Sequence, residues 1–112
     1  MTPIRIRFSN HALNERADRI AYIATTIGFG EVIARKVVED KRGKAIRLLT
    51  DTGVIIVTDI HEECILTMWI ANPTQVKDFY PEGVRNQAVL RLVKKYMEKG
   101  YQNEQDKQKK GN

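Results

Sequence analysis

Three apolar runs within residues 44–72 constrain the fold of this chain more than any other feature of its sequence. They cover residues 45–49, 54–58 and 64–70 and are rich in β-branched and large apolar side chains. A DTG sequence separates the first two runs, and HEE lies between the second and the third; Gly and Asp are residues that turns require. The pattern predicts a three-stranded antiparallel meander with residues 54–57 as its central strand.

The residues before the meander predict a short strand and two helices. Apolar residues at positions 4, 6 and 8 alternate with arginine, which is typical of an edge strand with one buried face. Ser9 and Asn10 can cap a helix that begins near His11 and repeats apolar residues at three- and four-residue spacing. After a Gly-Phe-Gly break, we expect Glu31 to begin a second helix that ends near residue 41, with inward-facing apolar residues at 32, 33, 34, 37 and 38.

The residues after the meander predict a loop, a final helix and a tail. Residues 72–74 end the third strand, the loop covers residues 75–84, and the helix is expected from about Val84 to Lys99. Residues 103–112 have no core-forming pattern, so we expect a disordered charged tail. These elements predict an α+β fold for a single domain over residues 1–102: a short N-terminal strand, two helices, the meander and a C-terminal helix.

The charge balance favours an anionic partner. The formal net charge is +5 at pH 7, and residues 1–102 contain 16 Lys and Arg against 12 Asp and Glu. Clustered basic residues favour RNA or DNA, or an acidic protein surface. Solvated helices also carry lysine for solubility, so the same residues are compatible with having no ligand. The candidate binding residues are Arg35, Lys36, Lys41, Arg42, Arg47, Arg85 and Lys95.

Several classes of function are disfavoured by the sequence. It contains no P-loop, Rossmann glycine pattern, nucleophile elbow or zinc-ligand spacing. With two histidines and one cysteine, we expect no metal site and no cofactor. No apolar run approaches the ~18 residues of a membrane span, and the first ten residues do not resemble a signal peptide. We therefore expect a cytoplasmic protein without a membrane partner.

A polar group at the start of the first predicted helix is a candidate catalytic site. His11 and Glu15 are four residues apart, as are Glu15 and Arg19, so the three can share one side of a helix; Arg16 is adjacent. Histidine could move a proton while arginine stabilises charge on an RNA phosphate. An ordinary solvated helix face has the same spacing, so the sequence leaves open whether the protein is an enzyme.

The segment IRFSNHALNERADRI resembles the opening of small RelE/ParE-like and BrnT-like proteins. In those proteins a short strand leads through Ser or Thr and a His-Ala pair into a helix that bears arginine. The order of elements, two helices followed by an antiparallel meander, is similar through about residue 72. The resemblance implies a toxin-type protein that cleaves RNA, on the ribosome or free, or poisons gyrase. It also implies catalytic basic residues on the sheet and its C-terminal end, where Arg47, His61 and Arg85 are the counterparts by type. Relatives commonly place arginine four residues after the histidine, whereas this chain has Glu15 there and Arg16 next.

Two other uses of the fold remain open. The first is a non-catalytic phage or mobile-element protein that binds a host protein and inhibits or adapts it. The second is a homodimer. The last predicted helix has apolar residues at positions 88, 89, 90, 92, 93, 96 and 97, a wider apolar face than contact with one small sheet requires. A homodimer would explain that width.

Overall fold

The computed structural model describes residues 2–3, 7–9, 12, 17–41 and 43–101. In chain order the strands are β1 (Thr2–Pro3), β2 (Arg7–Phe8), β3 (Glu31–Asp40), β4 (Gly43–Thr50), β5 (Val54–Thr58) and β6 (Cys64–Ile70). The helices are α1 (Ala17–Thr26), α2 (Pro73–Lys77) and α3 (Gln87–Glu98). The chain is an α+β protein, as its sequence predicts.

The predicted meander is present, with boundaries close to those expected. β4, β5 and β6 pair antiparallel in chain order, so β5 lies between its two neighbours. Ile56, in the middle of β5, is completely buried. The prediction that residues 54–57 form the central strand of the meander is confirmed.

The prediction of a second helix over residues 31–41 is wrong, because this segment forms the strand β3. β3 pairs antiparallel with β4 from Val32 opposite Thr50 to Asp40 opposite Gly43, with a register shift between Val32 and Ala34. Four of its ten residues are Val or Ile, whose branched side chains favour strands although their spacing also fits one helical face. Pairing with β4 decides between the two structures. The meander therefore has four long strands rather than three.

The N-terminal residues contribute two short strands at opposite edges of the sheet. β2 falls within the strand predicted over positions 4–8, of which positions 4–6 lie outside the described residues. The strand order is β1-β3-β4-β5-β6-β2, and β2 pairs parallel with β6. In a flat sheet, five spacings of ~4.8 Å would separate β1 from β2 by about 24 Å. The four-residue step from Pro3 to Arg7 can reach only about 14 Å. The sheet is therefore strongly curved. The ring of Phe8, on the edge strand β2, meets that of Phe29, in the loop before β3, edge to face with centroids 6.2 Å apart.

Side-chain caps are present at Ser9 and at the start of α3. Ser9 Oγ accepts a hydrogen bond from the N–H of Ala12 (3.0 Å), as predicted for an N-cap residue. Asn86 Oδ1 accepts from the N–H of Val89 (3.1 Å), so α3 begins three residues later than expected.

No helix in the described part of the chain is both long enough and apolar enough to cross a membrane.

A capping box also explains why the segment predicted as a loop begins with a helix. Asn72 Oδ1 accepts from the N–H of Gln75 (2.8 Å), and Gln75 Oε1 accepts from the N–H of Asn72 (3.0 Å). Pro73 then occupies the first turn, where its missing N–H costs nothing. The residues predicted to end the third strand thus start α2, and the loop prediction is wrong over residues 75–77, which belong to that helix.

The strand register gives the meander two different faces. The Leu48 face carries, over β4 to β6, the buried residues Ile46, Leu48, Thr50, Val54, Ile56, Thr58, Met68 and Ile70. The opposite Arg47 face has two rows across the sheet, first Ala34, Leu49, Ile55 and Trp69, then Lys36, Arg47, Val57 and Thr67. Leu49 and Ile55 are buried, whereas every residue of the second row is half-buried or exposed. The Arg47 face is therefore closed along one row and partly open along the next.

The helix α3 packs on the turn between β4 and β5. The Tyr96 hydroxyl donates to the carbonyl oxygen of Thr52 (2.8 Å). Gly53 has a φ of 84°, and a Cβ added there would lie 2.7 Å from Val93 Cγ1. Four apolar residues of α3 are buried, whereas Met97 is 58% exposed. Most of the apolar face of this helix therefore packs against other residues of the same chain.

We expect Gly53→Ala to destabilise the protein more than Gly83→Ala. Both glycines have left-handed φ values, 84° and 86°, but a Cβ at Gly83 would meet nothing within 4 Å. Both substitutions should therefore lower the free energy of unfolding by about 1 kcal/mol, because alanine is strained in this backbone conformation. Gly53→Ala should lower it by an additional ~1–3 kcal/mol, because its Cβ overpacks against Val93. Denaturant unfolding measures both free energies.

The matched test is a double-mutant cycle with Val93→Ala. Removing Cγ1 should reduce the cost of Gly53→Ala, so the two substitutions should deviate from additivity by more than about 0.5 kcal/mol. Equal destabilisation at the two glycines, or additive behaviour in the cycle, would contradict the described docking of α3.

Candidate functional site

A row of four side chains crosses the partly open half of the Arg47 face. The register places Lys36 opposite Arg47, Arg47 opposite Val57, and Val57 opposite Thr67. Directly opposed residues on antiparallel strands have Cβ atoms ~4.5–5.5 Å apart. The sheet therefore places two cations side by side, with a hydroxyl two strands away.

Trp69, from the adjacent row, holds the Arg47 side chain by a cation–π contact. The guanidinium carbon of Arg47 lies 5.5 Å from the centroid of the Trp69 ring. The indole Nε1 donates a hydrogen bond to Gln75 Oε1 (3.3 Å), the same oxygen that accepts from the N–H of Asn72 (3.0 Å). The residue that completes the cap of α2 thus also orients the tryptophan.

Two polar atoms on the Arg47 face make no hydrogen bond within the described structure. They are Arg47 Nε and Thr67 Oγ1, and both atoms are buried. A buried polar group without a partner costs about 1–3 kcal/mol. Native proteins contain few such groups, so each one calls for a reason other than stability.

Lys36 and Arg47 also repel one another. Like charges directly opposed in a sheet are destabilising by up to ~1 kcal/mol. Among the described residues, no acidic side chain pairs with either of them. The neighbouring Arg35 differs, because it lies on the other face of β3 and forms an ion pair with Glu62. An anion from outside the chain would relieve the repulsion between Lys36 and Arg47.

The predicted catalytic group on the first helix falls mainly outside the described residues. His11, Glu15 and Arg16 are not among them, and Arg19 is half-buried on α1. The role of these four residues therefore stays a prediction.

The predicted binding residues lie on several elements. Arg42 is outside the described residues, Arg47 is half-buried, and the exposed members are Arg35, Lys36, Lys41, Arg85 and Lys95. The register brings Lys36 directly beside Arg47, whereas Arg35 lies on the opposite face. Arg85 precedes α3 and Lys95 lies on it.

Sequence reasoning does not identify Trp69, Thr67 or Gln75 as site residues. The apolar neighbours of Trp69 indicate burial in a central strand, and it is half-buried. Alternation along a strand places Thr67 and Trp69 on one face. Their relation to Arg47 depends on the register across β5, which the sequence pattern does not contain.

The turn between β5 and β6 is organised by Asp59. Its Oδ1 accepts hydrogen bonds from the N–H groups of Glu63 (2.7 Å) and Cys64 (3.0 Å). These bonds, that of Cys64 above all, hold the pKa of Asp59 below its usual value of 3.8, although partial burial acts in the opposite direction. The turn brings Glu62, whose φ is 56°, to its ion pair with Arg35.

The second row of the Arg47 face can bind an anion but contains no general base. It offers the donors of Arg47, Lys36 and Thr67 and no carboxylate or imidazole. His61 is exposed in the turn between β5 and β6. No three His, Cys, Asp or Glu side chains of the described segments are grouped so that they could hold a metal ion.

We expect Asp59→Asn to be less stable than the wild type near neutral pH and equally stable in strong acid. A carboxylate with a lowered folded-state pKa contributes stability above the unfolded value of 3.8 and loses it as pH falls through the folded value. Asn keeps an acceptor oxygen but not the charge. Melting temperatures measured from pH 7 to about pH 2 should therefore converge. A constant difference across this range would show that the charge on Asp59 is irrelevant to the turn.

Comparison of the chain with protein-family models, with curated proteins and with solved structures finds no match. The function of the protein therefore has to be inferred from the geometry of the Arg47 face and from the sequence.

Proposed function

We propose that this protein acts on RNA and that its Arg47 face contacts the phosphate backbone. The observation that carries the proposal is the direct opposition of Lys36 and Arg47, two cations without an acidic partner in the described structure. A phosphodiester suits this pair, because arginine binds phosphate through two parallel hydrogen bonds while lysine supplies a compact charge. The net charge of +5 favours the approach of a polyanion.

A RelE-like fold is part of the same proposal. It is supported by the resemblance of residues 6–20. The order of elements expected with that resemblance, two helices before the meander, differs from the structure, in which residues 31–40 form β3. Proteins of that kind carry catalytic basic residues on the sheet, which is where Arg47 lies. The activity that this resemblance favours is RNA cleavage by a ribonuclease-type toxin.

We expect Arg47→Gln to weaken RNA binding more than Arg35→Gln does. The two variants lose the same charge, but Arg35 lies on the other face and is paired with Glu62. The logarithm of the wild-type association constant should fall linearly with the logarithm of salt concentration, and loss of one phosphate contact should reduce the slope by ~0.7 for single-stranded RNA. Filter binding over a series of salt concentrations measures this slope.

The paired control separates a local contact from a general charge effect. If both glutamine variants lose the same affinity and slope, the Arg47 face is not the binding surface. If the wild type does not bind RNA even at low salt, RNA is removed as a partner.

A catalytic role for the first helix gives a separate prediction. If His11 is a general acid or base, His11→Ala should reduce cleavage of free or ribosome-bound RNA by roughly 10²- to 10⁴-fold while the melting temperature changes little. His61→Ala separates the two candidate histidines, because His61, exposed in a turn, is the counterpart by type that the family resemblance implies. Loss of cleavage in His61→Ala but not in His11→Ala would move the catalytic role from the first helix to that turn. Wild-type RNA binding without any cleavage would leave an RNA-binding protein that is not a nuclease.

A second candidate function is non-catalytic binding of a host protein. It is favoured by Val37, which is 57% exposed on β3 between Arg35 and Glu39. Protein interfaces combine an apolar centre with a polar rim, and Val37 among its charged neighbours has that composition on the scale of one side chain. A folded wild type that fails to bind RNA would favour this function over the first.

A further inference from the structure

We propose that two copies of this chain form a dimer by pairing the outer edges of their β3 strands antiparallel, about a two-fold axis at Val37. The outer edge is the edge of β3 that faces away from β4. The partner is therefore a second copy of this chain, and the two sheets join into one. The inference goes beyond the proposed function, because it rests on the backbone and side chains of β3 and not on RNA.

The outer edge of β3 is long and, in the described structure, unpaired over most of its length. β3 has ten residues, more than any other described strand. On its outer edge β1 pairs only with Glu31 and Val32, and no other described strand lies there. Such an edge presents a row of free N–H and C=O groups to a further strand. Proline and bulges, which protect edges of this kind, are absent from residues 35–39.

The hairpin between β3 and β4 determines which backbone groups of β3 point outward. Asp40 and Gly43 are directly opposed with two residues between them, so they form the hydrogen-bonded pair that closes a two-residue hairpin. Hydrogen-bonded and non-hydrogen-bonded pairs alternate along an antiparallel ladder. Counting back from Asp40, the N–H and C=O groups of Glu39, Val37 and Arg35 therefore point away from β4 and toward the open edge.

The side chains at these three positions are complementary to an antiparallel copy of themselves. With the axis at Val37, the two copies of Val37 oppose each other, and Arg35 of each copy opposes Glu39 of the other. Val37 is 57% exposed, so this pairing removes apolar surface from water. The Arg35 side chain is 58% exposed although it is bonded to Glu62, and a guanidinium has five donors. It can therefore also pair with Glu39, which is exposed and has no ion pair among the described residues.

Moving the axis by one residue in either direction places like charges opposite each other. An axis at Lys36 opposes the two copies of that lysine. An axis at Val38 opposes Arg35 to Lys41, the residue that follows β3. Like charges directly opposed on paired strands are destabilising. Charge thus selects the register centred on Val37.

The dimer would also extend the Arg47 face. Directly opposed residues of paired strands lie on the same face of a sheet, so this pairing keeps the Arg47 faces of both copies on one side. Two copies of the opposed pair Lys36 and Arg47 then share one surface. If that surface binds RNA as proposed, a dimer offers twice as many cations to one strand.

The first experiment measures the association of the full-length protein by sedimentation equilibrium. Protomer concentrations from about 1 µM to about 1 mM cover the range in which small interfaces associate. We expect a reversible equilibrium between monomer and dimer. A protein that stays monomeric over the whole range would overturn the proposal and leave the edge of β3 to the host protein of the second candidate function.

Val37→Lys tests the position of the interface, and Met97→Lys, on α3, is its matched control. The two side chains are apolar and 57% and 58% exposed, so neither substitution should change the melting temperature of the monomer much. Val37→Lys places two ammonium groups opposite each other on the axis and should weaken the dimer roughly tenfold or more. Met97→Lys should dimerise like the wild type. Weakening by Met97→Lys as great as that by Val37→Lys would overturn the proposal.

Cross-linking tests the register. In a Cys64→Ser background, Val37→Cys leaves one thiol per chain. Opposed residues of a hydrogen-bonded pair have Cα atoms ~5.5 Å apart, within the range of a disulfide, so mild oxidation should link the two copies. Lys36→Cys is the control, because the register opposes position 36 to Val38 and leaves its two copies on a diagonal of ~7–8 Å. Equal linking of the two variants, or no linking of Val37→Cys, would overturn the proposed pairing.

Discussion

Antiparallel backbone pairing from β3 to β6 is the constraint on which the rest of this structure depends. Because side chains alternate along each strand, a slip of one residue between neighbouring strands would exchange the two faces of the slipped strand. The observed register buries Leu48 and Ile56 together and leaves Lys36 beside Arg47. The core and the candidate site are thus two consequences of the same set of hydrogen bonds.

The two faces differ in how they contribute to stability. The Leu48 face is apolar and buried across β4 to β6, which provides most of the favourable burial of the meander. The Arg47 face carries opposed cations and two buried polar atoms without partners in the described structure, and these features reduce stability. Sites that break local rules of stability in this way are typical of ligand-binding surfaces. An anionic ligand would satisfy the opposed charges and the unpaired donors together.

The short helix α2 connects this surface to the remainder of the fold. Gln75 closes the cap of α2 through Asn72 and also holds the indole of Trp69. α2 in turn packs against α3, which docks on the turn between β4 and β5 through Tyr96. The orientation of Trp69 therefore depends on how the C-terminal helices pack and not only on its own strand.

The sequence by itself determined β4, β5 and β6 and the N-cap at Ser9, because their signals are local: apolar runs bounded by turn residues, and an oxygen three residues before a helical N–H. It identified Lys36 and Arg47 as basic candidates but could not pair them.

Only the tertiary structure decided that residues 31–40 form a strand, because Val and Ile at that spacing suit either structure until β4 supplies a partner. Tertiary structure also decided that Arg47 meets Trp69, since 22 positions of sequence separate them and three strands must be in register before they touch. The physical reason is the same in both cases. Cross-strand pairing is a non-local interaction, and no short segment of the chain encodes it.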